Sequence, residues 1–293
     1  MTVYDLSCDF SKKYMINRLR PTTISGYNVN INNHILPYLA NVEIESLTVG
    51  DVDELTLQLG VKGLTNKTIL YVHATFRKML NYAKKRGYVN SNVYDQADLP
   101  RVDTYAHKVL NKAQLSRLIG AVSGSALELP VILAACYGLR RGEVLGLKVD
   151  DYDAVEGVLH VQRTKSTVSG SHFVTPCKTE NGDRYILIAE SHRRLFENNA
   201  GNDVLVPLTQ YQLNNRFSRL ALRLGYQGLR FHDLRHSYAT LMMKEGVNPK
   251  IVSSVLGHCD VSVTLEIYSH PDIESQLACL NTLENSLGLT RTE

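Results

Sequence analysis

The sequence predicts a mainly α-helical chain that also holds a small antiparallel β-sheet. Three observations carry that prediction. Apolar residues recur at spacings of three and four through residues 1–100 and again after Gln210. Only two segments, "GVLHVQR" and "DRYILIA", alternate with period two and are rich in strand-forming residues. Thr and Asp stand before helical segments and Gly after them, where start and stop signals belong.

The bulk numbers frame this reading. A chain of 293 residues points to about two domains, and 44% hydrophobic residues suffice for real cores. No apolar run approaches the ~18 residues of a membrane span, so no membrane partner is expected. The start, "MTVYDLSCDFSKKYM", lacks a basic region followed by an apolar one, so no signal peptide is expected. The five cysteines are scattered and never form CxxC, which suggests reduced thiols in a cytoplasm rather than a disulfide frame. The formal net charge of +3 says little about partners.

Taken in order, Thr22 or Thr23 caps a first helix through "ISGYNVNINNHILPYLA". "TVGDVDELTLQLG" starts at Thr48 or Asp51 and stops at Gly60. "TNKTILYVHATFRKMLNYAKKRG" sets Ile69, Val72, Phe76, Leu80 and Ala83 on one face and ends at Gly87. Residues 1–100 are thus expected to form a bundle of about four helices. Residues 101–108 read as a linker, and a second domain fills 109–293. There "NKAQLSRLIGAV" and "ALELPVILAACYG" read as helices. The two strands make a hairpin with a long tip. Everything after Gln210 reads as helical, through "IESQLACLNTLENSL" near the end.

Charge is locally uneven. From Leu55 to Tyr94 there is no acidic residue, while Lys62, Lys67, Arg77, Lys78, Lys84, Lys85 and Arg86 fall inside. Such one-signed clustering fits a phosphate-binding face, and equally a solvated helix face with a basic C-terminus.

The densest chemistry lies in "FHDLRHSYAT". On a helix, His232, Arg235, His236 and Ala239 share one stripe, and Leu234, Tyr238 and Leu241 share the other. Two His at i and i+4 match a zinc pair. Arg235 between them would repel a dication, and no third ligand follows at short range, so no metal is expected. A polar solvent face and an oxyanion cradle are the other readings, since Arg offers a planar fork to phosphate oxygens. "YGLRRGE" adds Arg140 at the end of an apolar helix, where a plain C-terminal charge is the alternative. Glu143 follows one turn on, where it could orient an Arg or His, while Arg141 reads as solvent-facing. The hairpin tip offers Lys165 or Lys178 as a general acid. "LGHCD" supplies His258, and Tyr268 follows in "YSH". A Tyr attacking a phosphodiester needs concentrated positive charge, which these cations would provide without a metal.

The ordered set "GLRRGE", "PCKTENGDRYILI", "HDLRHSYAT" and "LGHCDVSVTLEIYSH" closely resembles the tyrosine recombinase (phage integrase) family. The resemblance covers the whole chain, because residues 1–100 resemble that family's helical core-binding domain. It implies a mixed α/β catalytic domain behind that bundle. It implies that Arg140 and Arg235 clamp the scissile phosphate and that His258 hydrogen-bonds it. Lys178, placed like the family's Lys-Thr before an Arg-x-Ile strand, protonates the leaving 5′-hydroxyl. His232 accepts the proton of Tyr268, which forms a 3′-phosphotyrosyl link. Glu143 and His236 support them, and Lys67, Arg77, Lys84 and Lys85 lie along DNA phosphates. It further implies duplex DNA as partner, no cofactor, a homo-tetramer joined through the C-terminal tail, and an accessory directionality factor as a further partner. The setting would be the cytoplasm of a bacterium or mobile element, at the nucleoid. With about 20 residues before the first expected helix, no arm-binding domain is expected. A type IB topoisomerase, or a DNA-binding protein without catalysis, is the alternative.

Overall fold

The computed structural model describes residues 1–101, 108–168, 170–177, 180–197 and 203–257. The chain divides into two compact units, Met1–Tyr105 with Val168–Ser171 and Ala106–Thr167 with His172–Glu293. It is mostly helical with a small antiparallel sheet, as the periodicities predict.

The first unit begins earlier than the sequence reading expects. Thr2 and Asp5 form a capping box that starts α1 (Val3–Phe10), which runs through a π-helical stretch, Ser11–Met15, into α2 (Ile16–Arg18). Val3, Leu6 and Phe10 are buried at helical spacing. The next helix, α3 (Pro21–Asn30), opens on Pro21 rather than capping at Thr22 or Thr23, because the fixed φ of Pro suits the first turn. A second π-helical stretch, Ile31–Ile35, leads to α4 (Leu36–Leu39). Pro37 has no amide to donate back to the Asn33 carbonyl, which instead accepts from Lys62 Nζ at 2.8 Å.

Thr48 caps α5 (Val49–Val61) with Asp51 as its box partner, so both expected cap residues take part. Thr65 caps α6 (Asn66–Lys85), and Gly87, the stop read from the sequence, follows with φ 74°. Ile69, Val72, Phe76, Leu80 and Ala83 are all buried and join Val3, Leu6, Phe10, Ile35 and Leu55 in one core.

The second unit opens with α7 (Lys112–Val122), capped by Asn111 and Gln114, and the apolar α8 (Glu128–Cys136). A short helix absent from the sequence reading, α9 (Arg141–Gly146), follows. Strands β1 (Tyr152–Asp153), β2 (Val158–Val161) and β5 (Arg184–Leu187) form an antiparallel sheet in the order β1-β2-β5. Val158 pairs with Leu187 and Val161 with Arg184. The long tip expected between the two strands is itself a β-hairpin, β3 (Arg163–Val168) with β4 (Ser171–Pro176). β3 is half-buried along its whole length, and neither "RTKSTV" nor "SHFVTP" alternates apolar with polar residues, so period two did not reveal them.

Next come α10 (Glu190–Glu197), which buries only Phe196 and was not foreseen, and α11 (Gln210–Arg223) with Thr209 as cap. Then α12 (Asp233–Lys244) packs against α8 and against α13 (Pro249–Leu256). The expected helices "SVTLEIYSH" and "IESQLACLNTLENSL" lie outside the described residues.

Candidate active site

The site is built where α8, α9, α12, the start of β5 and the end of α13 meet. Gly138, between α8 and α9, has φ 65°, and a Cβ there would stand 2.5 Å from Leu256 Cδ2 and 2.9 Å from the Tyr238 ring. Only glycine fits so close a meeting of three helices. Gly138 also offers its carbonyl to Arg235 Nη1 at 2.6 Å. The turn that brings Arg140 into the site is thus tied to the helix that carries Arg235.

Arg140 is the N-cap residue of α9 and not the end of α8. The alternative reading of Arg140 as a plain C-terminal helix charge therefore falls away. Glu143, one turn on and 3% exposed, accepts from the Arg140 amide at 2.9 Å and from Arg140 Nη1 at 2.7 Å. Arg140 Nη2 donates to the Gly257 carbonyl at 3.0 Å. The side chain keeps 36% of its surface open, enough to meet a ligand.

Glu143 holds a second guanidinium that the sequence reading did not single out. Arg184 Nη2 donates to its Oε2 at 3.0 Å. Burial opposes a charge on Glu143, but Arg184 first and then Arg140 more than offset it, and the carboxyl is held below its usual range. A signal was present in the strand: Arg184 is in phase with the buried Ile186 and Ile188, so an Arg fell on the core side of "RYILI". A charge in that phase needs a buried partner.

The helix α12 corrects the two-stripe picture. Asp233, Leu234, Arg235, His236, Ser237 and Ala239 are all buried, so the polar stripe is not a solvent face. Polar groups persist there because Asp233, Arg235 and Ser237 each make specific hydrogen bonds. Asp233 accepts from the Arg230 amide and from Arg230 Nη2, both at 2.8 Å. Burial works against its charge, yet Arg230 keeps the carboxyl below the usual range. Ser237 Oγ donates to the Asp233 carbonyl at 2.9 Å and accepts from the Leu110 amide at 2.9 Å. His236 packs edge to face on His232, with centroids 5.0 Å apart.

His232 stands at the N-cap of α12 and still reaches solvent. Loss of water around its ring, then the charge of Arg235, with Arg140 and Arg141 adding to it, outweigh Asp233 and push its pKa down to about 4. The imidazole is therefore neutral at pH 7 and can take up a proton. The bond from Arg235 Nη1 to the Gly138 carbonyl, two residues before Arg140, brings the "GLRRGE" and "HDLRH" segments together. Arg141 is half-buried rather than solvent-facing, and its Nη1 donates to Asn214 Oδ1 at 3.3 Å.

A Cβ on Gly142 would lie 3.2 Å from the Lys165 carbonyl, and one on Gly146 3.1 Å from the Lys165 amide. These two glycines seat α9 on β3, so Lys165 is fixed as a strand residue beside this wall. Lys178, His258 and Tyr268 lie outside the described residues. Among the described residues no group of three or more His, Cys, Asp or Glu could hold a metal ion, and no helix is long and apolar enough to cross a membrane. Among the described residues of this wall, five guanidiniums (Arg140, Arg141, Arg184, Arg230, Arg235) stand against two carboxylates (Glu143, Asp233), an excess suited to an oxyanion.

The other expected contact residues lie on the first unit. Lys67, Arg77, Lys84 and Lys85 are all exposed on α6. They do not form one free row. Asp95, just past the acid-free window, folds back to within 3.6 Å of Arg77 and 3.7 Å of Lys84.

Known proteins place this geometry. Residues 108–275 match the phage integrase family, and residues 2–56 match the phage integrase N-terminal SAM-like domain. The chain is 28% identical over 270 residues to the tyrosine recombinase XerC of Alcanivorax borkumensis, covering 88% of this chain and 86% of that one. It is 22% identical over 302 residues to the ICEBs1 integrase of Bacillus subtilis, covering 95% and 80%. In fold it is similar to the Tn1549 transposon integrase in complex with a circular intermediate DNA, with TM-score 0.83, 22% identity, and coverage of 97% and 99%. It also resembles a lambda integrase dimer bound to a core site, with TM-score 0.70, 19% identity, and coverage of 92% and 95%. The ordered motifs, the paired arginines on one wall and a family match over more than half of the sequence lead to one conclusion: this chain belongs to the phage integrase family and is a site-specific tyrosine recombinase.

Proposed function

We propose that this recombinase exchanges strands of duplex DNA without metal or ATP, through the residues named from the sequence. The Oη of Tyr268 attacks the scissile phosphorus, and its proton passes to the neutral imidazole of His232. The P–O5′ bond breaks, and O5′ takes a proton from Lys178 Nζ. Arg140 and Arg235 hold the non-bridging oxygens of the pentavalent transition state, and His258 hydrogen-bonds the phosphate. The 3′-phosphotyrosyl link keeps the energy of the broken ester, so a partner strand's 5′-hydroxyl can reverse the step without ATP. The observation that carries this reading is the convergence of Arg140 and Arg235 on a proton-poor His232, backed by Glu143 and Arg184.

The helical bundle of residues 1–100 acts as the core-binding domain, joined to the catalytic domain, 109–293, by residues 101–108. Lys67 and Lys85, with Arg77 and Lys84 shared with Asp95, contact phosphates there. Four copies assemble on paired sites through the tail after Tyr268, as tetramers are known for lambda integrase bound to a Holliday junction. An accessory directionality factor and a place at the nucleoid in the cytoplasm complete the proposal.

The test uses a nicked suicide duplex carrying the cognate core site. Wild-type chain is expected to form a covalent protein–DNA adduct that EDTA leaves unchanged, and to exchange strands between two sites. Tyr268→Phe is expected to bind the duplex within about twofold of wild type and to form no adduct. An adduct persisting in Tyr268→Phe, or wild-type cleavage lost on chelation, would overturn the assignment.

A further inference from the structure

We infer that Arg184 is a positioning residue for the reaction: it holds the segment that follows Lys178 against the wall formed by Arg140 and the end of α13. The inference rests on the reading of Lys178 as the acid for the leaving 5′-oxygen.

Arg184 is 9% exposed at the first position of β5, and its guanidinium is shared among three pieces of chain. Nη1 donates to the Gly182 carbonyl at 3.0 Å, in the short turn Glu180–Gly182 that comes just after Lys178. Nε donates to the Val255 carbonyl at 2.6 Å, in the last turn of α13, three residues before His258. Nη2 donates to Glu143 Oε2, whose other oxygen holds Arg140. A planar guanidinium with five donors can serve three acceptors in fixed directions, and an ammonium on a flexible stem cannot hold them in one plane.

Packing around the same point is tight. Gly257 ends α13 in the left-handed region with φ 66°. A Cβ there would lie 2.7 Å from the Asn181 carbonyl and 3.0 Å from Arg184 Nη1. The turn after Lys178 therefore lies directly on the backbone that leads into His258, with Arg184 between them. Lys178, His258 and the pair Arg140 and Glu143 come from three separate stretches of sequence. Arg184 bonds to all three of those stretches by itself and reaches Arg140 through Glu143.

The experiment compares two suicide duplexes under single turnover. One carries the natural 5′-oxygen at the scissile bond and the other a bridging 5′-sulfur. A thiol ionises near pH 8.5, so the P–S bond breaks without a proton from an acid. Arg184→Lys keeps a positive charge beside Glu143. It is expected to bind DNA within about twofold of wild type, to cleave the oxygen substrate about 10–100-fold slower, and to recover most of the wild-type rate on the sulfur substrate. Equal loss on both substrates, no loss on either, or weakened DNA binding with a lowered Tm would overturn the proposal. Lys178→Ala in parallel separates this from the underlying reading. If sulfur rescues Lys178→Ala and not Arg184→Lys, only the Arg184 inference fails. If sulfur rescues neither, Lys178 is not the acid and both fall.

Discussion

His232 shows how much a single residue's surroundings decide. The sequence places it beside Arg235 and His236, and from that alone it could be a ligand, a base or a surface group. In the folded chain its ring loses water and faces guanidiniums, and its pKa falls to about 4. The sign follows directly. A His with a depressed pKa stays neutral until the pH falls well below the usual 6.5, so it remains able to accept a proton throughout the mildly acidic range. We predict that the single-turnover rate of adduct formation, corrected for DNA binding, shows no inflection from His232 near pH 6.5. Any loss from its protonation should be centred near pH 4. A titration centred at 6.5 that vanishes in His232→Gln would contradict this. Glu143 was legible as a supporting acid from its place one turn after Arg140. Arg184 was not singled out, although it falls in phase with the apolar Ile186 and Ile188, because its partners Glu143, Gly182 and Val255 meet it only in the folded chain.

At the scale of elements, α6 carries the basic residues that the acid-free window advertises. Their row is divided by a residue outside that window. Asp95 sits on the turn Val93–Asp95 and answers Arg77 and Lys84 across a solvent-exposed gap. Exposed pairs of this kind stabilise by no more than about 1 kcal/mol, so their main effect is on the charge offered to DNA. We predict that Asp95→Ala leaves thermal stability nearly unchanged, tightens non-specific duplex binding, and steepens the slope of log K against log salt by about 1–2. Filter binding at several salt concentrations reads this directly. An unchanged slope would mean that Arg77 and Lys84 do not face phosphates. The helix α12 teaches a related point. Its polar stripe was legible from spacing, but its burial was not, because α8 and α13 cover the side that spacing left open to water.

For the whole molecule, the two units hold their own cores, and they should not answer acid alike. In the first unit His73 is fully buried between Tyr94, at 2.7 Å from its Nδ1, and Thr56, at 3.0 Å from its Nε2. Burial pushes its pKa down to about 4. Between about pH 6.5 and 4 the unfolded chain therefore binds a proton that the folded unit refuses, and stability falls as the pH drops through that window. Above pH 6.5 His73 contributes no pH dependence. The loss by pH 4 is about 3 kcal/mol. We predict that denaturant unfolding of the full chain shows the first unit weakening over this range, and that His73→Gln removes most of the dependence. The same slope in His73→Gln would place the acid sensitivity elsewhere.

By itself the sequence determined the helical class, the period-two strands, the cap at Thr48 with Asp51, the stop at Gly87, and the ordered motifs that carry the family. These are local signals, written in spacing and in residues that suit one backbone conformation. It could not give α9, the inner hairpin β3–β4, or the first helix from Val3, whose patterns are short or lack an amphipathic face. The tertiary structure alone decided which charges meet. Glu143 with Arg184, Arg235 with the Gly138 carbonyl, and Asp95 with Arg77 are pairs between segments far apart or on opposite sides of a turn. Electrostatic energy depends on distance and on the water removed, and neither is fixed until the chain has packed.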